Sequence, residues 1–68
     1  MTTAITATAL TEIYALLVDL AGTEEALAHS EAAAVPYWAP TPESVVGHRL
    51  AAVALRARAE ALGAGAAA

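Results

Sequence analysis

Three side chains in this sequence have the types and spacing to do chemistry together. Glu25 and His29 stand four residues apart, on one face of a predicted helix, and His48 falls on another helix. One carboxylate and two imidazoles are donor types that hold zinc. The surrounding pattern favours a plainer reading, because no HExxH-type or paired-ligand spacing accompanies them. His29 then reads as a solvated helix residue and His48 as a polar residue beside a core strip. Ser30 and Ser44 have no histidine–acid arrangement next to them, and neither a P-loop nor a GxGxxG sequence is present. Catalysis requires convergent nucleophiles, bases or ligands. The reading is therefore of a chain that is not an autonomous enzyme, with no catalytic, cofactor-binding or metal residue assigned and no cofactor expected.

Aromatic residues carry the sharper hypothesis. Pro36-Tyr37-Trp38-Ala39-Pro40-Thr41-Pro42 contains all three prolines, the single tryptophan and one of two tyrosines. Tryptophan and tyrosine are enriched at binding hot spots, and flanking prolines lower the ordering cost of binding. Tyr37 and Trp38 are thus candidate partner-binding residues, expected in an extended segment. The competing reading is that Trp38 folds back as the plug of a small core. The sequence leaves both open.

The elements that must position these rings are helices rich in alanine, the best helix former. The threonine-rich start is ambiguous, since threonine serves both as a helix cap and as a strand residue. Residues 1–8 read as an extended arm or as a helix start from Thr3 or Thr8. Leu10, Ile13, Leu17 and Leu20 then follow a 3-4-3 spacing, thickened by Leu16, over a helix from Ala9 to Ala21. Gly22 stands where a C′ glycine ends a helix. Thr23-Glu24-Glu25 reads as a fresh N-terminus, opening a shorter second helix to about Ala34. Val35-Pro36 stops it. Thr41 as N-cap and Pro42 at the first helical position start a third helix, which runs from Pro42 or Glu43 to about Leu62, where Gly63 ends it. The tail from Gly63 to Ala68 is expected to be disordered.

The third helix is apolar on two sides. Val46, Leu50, Val53, Ala57 and Ala61 form one strip, and Ala51, Leu55 and Leu62 form another, separated by a polar wedge of Arg49, Arg56 and Glu60. A helix apolar on two sides wants two neighbours. Ala51, Leu55 and Leu62 are accordingly candidate partner-binding residues, unless the other helices of the same chain cover both strips.

Length and charge bound the rest. Sixty-eight residues make a single small domain, marginal by itself, and small scaffolds usually need a disulfide, a metal or oligomerisation. The chain has no cysteine, so the first of these is excluded, and a reducing compartment fits. Much of the 59% hydrophobic content is alanine, which buries little area. The net charge of −4 disfavours nucleic acid and anionic membranes as partners. No apolar run is long enough to span a membrane, and the first basic residue is Arg49, so the charged start of a signal peptide is missing. Three arginines without lysine suggest a GC-rich genome, such as that of an actinobacterium or its phage.

The expected fold is all-α, a small three-helix bundle or an open helical hairpin with a proline-rich aromatic connector. The expected role is a non-catalytic interaction or assembly protein, a small accessory subunit with a protein partner or as a homo-oligomer, in the cytoplasm or a particle assembled there. The alternative is a helix-turn-helix-like DNA-binding regulator using Arg49, Arg56 and Arg58. A long connector, an acidic balance and Glu43 at the start of the would-be recognition helix count against it.

Overall fold

The computed structural model describes residues 6–67, with side chains described for 6–63. Two helices make up the described residues: α1, Ala7–Ala33, and α2, Glu43–Ala67. They lie side by side and antiparallel, as an open hairpin. The all-α class is as expected, but the three-helix bundle is not what forms, because the predicted first and second helices are one. The expected arm or early helix start over residues 1–5 lies outside the described residues.

The N-terminus of α1 is capped by Thr6, whose extended backbone lets Oγ1 accept from the Ala9 N–H at 3.1 Å. From there the helix runs straight through Gly22 and Thr23. Gly22 does not take the left-handed conformation of a C′ residue. Thr23 does not cap; its hydroxyl donates to the Asp19 carbonyl at 3.1 Å, a bond internal to a helix. A mid-helix glycine costs about 1 kcal/mol. Continuity offsets that cost, because a seam against α2 runs across Gly22 without a break. Ala34 ends α1 in helical geometry, its N–H shared between the Ser30 and Glu31 carbonyls at 3.3 Å each. Pro36 has no N–H with which to continue.

Helix α2 begins at Glu43, the later of the two expected starts. Pro42 supplies the first intrahelical acceptor, receiving N–H bonds from Val45 at 3.1 Å and Val46 at 3.4 Å. Glu43 sits in the first turn, where the helix dipole favours an acid. At the other end Gly63 does not stop α2, and the expected disordered tail is helical backbone as far as Ala67.

The seam follows a strict alternation of three and four residues. On α1 it takes Leu10, Tyr14, Leu17, Ala21, Glu24, Ala28 and Glu31; on α2 it takes Val45, His48, Ala52, Leu55, Ala59 and Leu62. This is the pattern of helices that wind about each other with side chains interleaved. The fully buried hydrophobic residues are Ala21, Ala28, Val45, Ala52 and Ala59. Alanine at alternate layers leaves room for a close helix–helix approach. The cost is a thin core. With a radius of gyration of 15.9 Å, against about 11 Å for a compact domain of this length, the molecule is a rod rather than a ball.

The sequence reading assigned the α1 face differently. Leu10 and Leu17 do enter the seam, but Ile13, Leu16 and Leu20 lie outside it and are exposed. The strips of α2 exchange roles in the same way. Leu55, Leu62 and Ala51 are half-buried, whereas Val46, Leu50 and Val53 are exposed.

Candidate functional site

The described surface has three notable features: a polar layer in the seam, an aromatic turn at the connector, and apolar strips on the outer faces.

The polar layer lies nearest the connector. Glu24 and Glu31 occupy successive positions of the seam on α1, seven residues apart, where Leu10 and Leu17 stand earlier in the same series. His48 holds the matching series on α2, ahead of Leu55 and Leu62. One imidazole thereby faces two carboxylates. Nδ1 of His48 is hydrogen-bonded to Glu24 Oε2, and Nε2 lies 3.2 Å from Glu31 Oε2. The second approach is an ion-pair distance without hydrogen-bond geometry, so Glu31 Oε2 is buried without a hydrogen-bond partner. Because the carboxylates meet opposite edges of the ring, the three groups share no common point for a cation. Among the described residues no three histidine, aspartate, glutamate or cysteine side chains are arranged to hold a metal ion.

Glu25 and His29 do not join His48. Glu25 faces Arg56 across the two helices, through Oε1 to Nη2 and through Oε2 to Nε at 3.2 Å. This two-toothed pairing holds the Glu25 carboxyl below its ordinary value and raises the Arg56 guanidinium above its own, the hydrogen bond between them being the larger cause in each case. His29 is exposed. Neither the Glu24–His48–Glu31 layer nor the Glu25–Arg56 pair was foreseen from the sequence. The available signal was the series Leu10, Leu17, Glu24 and Glu31 at seven-residue steps, which the break expected at Gly22 cut in two.

The connector is a turn where an extended segment was expected. The Ala39 N–H donates to the Pro36 carbonyl at 3.0 Å, closing a β-turn with Tyr37 and Trp38 at its two central positions. Central turn residues point outward. Tyr37 is fully exposed and Trp38 is 75% exposed, so Trp38 is not the plug of a core. The aromatic pair stands at one end of the rod. At the other end an apolar cleft of about 370 Å³ opens between the helices, lined by Ala7, Leu10, Thr11, Tyr14, Leu62 and Gly63. The Thr11 hydroxyl donates to the Ala7 carbonyl at 2.9 Å, which leaves little in the cleft to orient a reacting group.

The apolar strips lie on different faces of the hairpin. Ile13, Leu16, Leu20 and Leu27 run along α1; Val46, Leu50 and Val53 run along α2. The expected partner-binding residues therefore divide. Tyr37 and Trp38 are on the surface, whereas Ala51, Leu55 and Leu62 are half-buried, Leu55 and Leu62 as members of the seam. The paired antiparallel helices also differ from the crossed helices and short turn of a helix-turn-helix. No helix among the described residues is long and apolar enough to cross a membrane. No protein family, no curated protein and no solved structure matches this chain.

Proposed function

We propose that this chain is a non-catalytic helical interaction module, an accessory or assembly subunit that completes its core with helices from outside the hairpin. One observation carries the reading: the fully buried residues are four alanines and a valine, the seam leucines are only half-buried, and most of the large apolar side chains are exposed. Burial stabilises in proportion to apolar area removed from water, about 25 cal/mol per Å². Four alanines and a valine supply little of it. The area that matters is on Ile13, Leu16, Leu20 and Leu27, on Val46, Leu50 and Val53, and on the Tyr37–Trp38 turn. Contiguous apolar surface of this kind marks interaction sites. The cytoplasm, or a particle assembled there, suits a chain without cysteine.

The test is helicity and stability of the purified chain alone, followed by capture of partners from the native source with tagged wild-type, Leu20→Arg, Leu50→Arg and Trp38→Ala chains. An interaction module is weakly stable alone and loses what it binds when one of these surfaces is changed. A stable monomer whose folding does not depend on concentration, and whose binding no surface variant alters, overturns the reading.

A further inference from the structure

We propose that Glu24, His48 and Glu31 form a proton-dependent latch between the two helices, closed when the His48 ring carries a proton on each nitrogen and loosened when one is lost. The proposal concerns the hairpin itself and stands apart from the interaction-module reading.

Both edges of the His48 ring face carboxylates of α1. Nδ1 is hydrogen-bonded to Glu24 Oε2, and Nε2 lies 3.2 Å from Glu31 Oε2. A carboxylate only accepts hydrogen bonds, and a neutral imidazole carries a single N–H. With a neutral ring, one of the two contacts therefore sets a bare nitrogen lone pair against an anionic oxygen. With an imidazolium, both edges present an N–H. Glu31 Oε2 is the oxygen left short, buried without a hydrogen-bond partner, and a proton on Nε2 faces it. The approach is off the line of a hydrogen bond, but the Coulombic attraction between an imidazolium and a carboxylate needs no such alignment.

The surrounding charges leave this task to the ring. Helix α1 is the element packed against α2, and the groups it turns to His48 are Glu24 and Glu31. Among the described residues neither carboxylate has an ion pair with an arginine, and the neighbouring Glu25 is taken by Arg56. On α2 itself the nearest charged residues in sequence, Glu43 and Arg49, are exposed. A neutral ring thus leaves two carboxylates without a counter-charge in a seam partly closed to water; a cationic ring offsets one of them. The folded chain gains from a proton that the unfolded chain holds no more firmly than any histidine. The latch is therefore closed below the ordinary histidine value, about 6.5, and its contribution is lost as pH rises beyond that. Below about 4.3 the carboxylates themselves take up protons, so the closed state belongs to weak acid.

Unfolding of the intact chain, followed by helicity from about pH 5 to about pH 8, tests this. The expected result is a folding equilibrium constant that falls at least about threefold across that range. His48→Gln removes the fall, Glu31→Gln reduces it, and His29→Gln, at an exposed position, leaves it intact. If His48→Gln does not fold, nitrogen NMR of the wild-type rings keeps the test decisive: His48 holds protons on both nitrogens at a pH where His29 has given one up. A wild-type stability that is flat or rises over this range, a fall that survives His48→Gln or disappears with His29→Gln, or a His48 ring that loses its second proton no later than His29 overturns the proposal.

Discussion

Glu31 Oε2 lies 3.2 Å from His48 Nε2 inside the seam and is without a hydrogen bond. The oxygen is excluded from water, yet its neighbour approaches off the line along which a ring N–H donates. The layer of Glu24, His48 and Glu31 is therefore only half satisfied, which is costlier than a complete network. It replaces leucines in a seam that is otherwise apolar, and it sits at the connector end, where water reaches His48 and both carboxylates in part.

Removing the ring alone leaves two carboxylates facing each other. His48→Leu is expected to destabilise the hairpin by about 1 kcal/mol, the low end for stranded polar groups because these are partly solvated. The triple change Glu24→Leu, His48→Leu, Glu31→Leu extends the leucine series of both helices and is expected to be more stable than wild type, as ionic clusters replaced by apolar ones often are. Thermal unfolding at fixed concentration measures both. A triple variant less stable than wild type shows that the layer contributes net stability.

How much of this was legible in the sequence turns on Gly22. Helix content, the stop at Val35-Pro36 and the start near Thr41-Pro42 follow from local chemistry and are where that chemistry puts them, to within a residue. The continuity of α1 is not local. It depends on Leu17, Ala21, Glu24 and Ala28 meeting α2, and a glycine followed by Thr-Glu-Glu carries every local sign of a break. Once α1 is cut there, the three-four alternation across it disappears and the larger residues look like the core. Alanine seams mislead in the same direction. The buried line is made of the smallest apolar residues, and the leucines that catch the eye lie beside it. The outward turn of Tyr37 and Trp38 was undecidable, since the same residues serve as a plug when a third helix is present to receive them.

Glycine positions give the second prediction. Gly22 and Gly47 have open space where a Cβ would stand. At Gly63 a Cβ would lie 3.5 Å from Tyr14 Cε2, an ordinary contact. No glycine among the described residues uses a positive φ. Each of Gly22→Ala, Gly47→Ala and Gly63→Ala is expected to stabilise the chain by about 0.5–1 kcal/mol, with Gly63→Ala adding contact with the Tyr14 ring. Denaturant midpoints at constant slope check this. A destabilised Gly22→Ala would argue that α1 is broken there after all.

The Glu25–Arg56 pair gives the third. The folded chain holds Glu25 below its ordinary value, so the unfolded chain binds the proton more readily. The pair's contribution is then fully present above the ordinary glutamate value, about 4.3, and is lost as pH falls through the lowered folded value. Exposure of both side chains and screening by salt keep the effect small. Glu25→Gln is expected to flatten the acid limb of a stability-against-pH curve below pH of about 4.3, with little change near neutrality. A wild-type curve that Glu25→Gln leaves unaltered in acid would mean that the pair does not persist in solution.

Trp38 gives the last. It occupies a central position of the Pro36–Ala39 turn with three-quarters of its surface in water. A side chain that packs against little contributes little to folding, so Trp38→Ala is expected to change stability by no more than about 0.5 kcal/mol. As the only tryptophan, it also reports its own surroundings. Its emission in the isolated chain is expected near that of free indole in water, and to shift to shorter wavelength when a partner covers the turn. If the turn is a binding knob, Trp38→Ala weakens partner binding by about 2 kcal/mol or more, the scale of an aromatic hot spot, while the melting curve of the free chain stays where it was. A blue-shifted emission in the dilute free chain, lost on denaturation together with stability, would instead place the ring in a core and remove the knob.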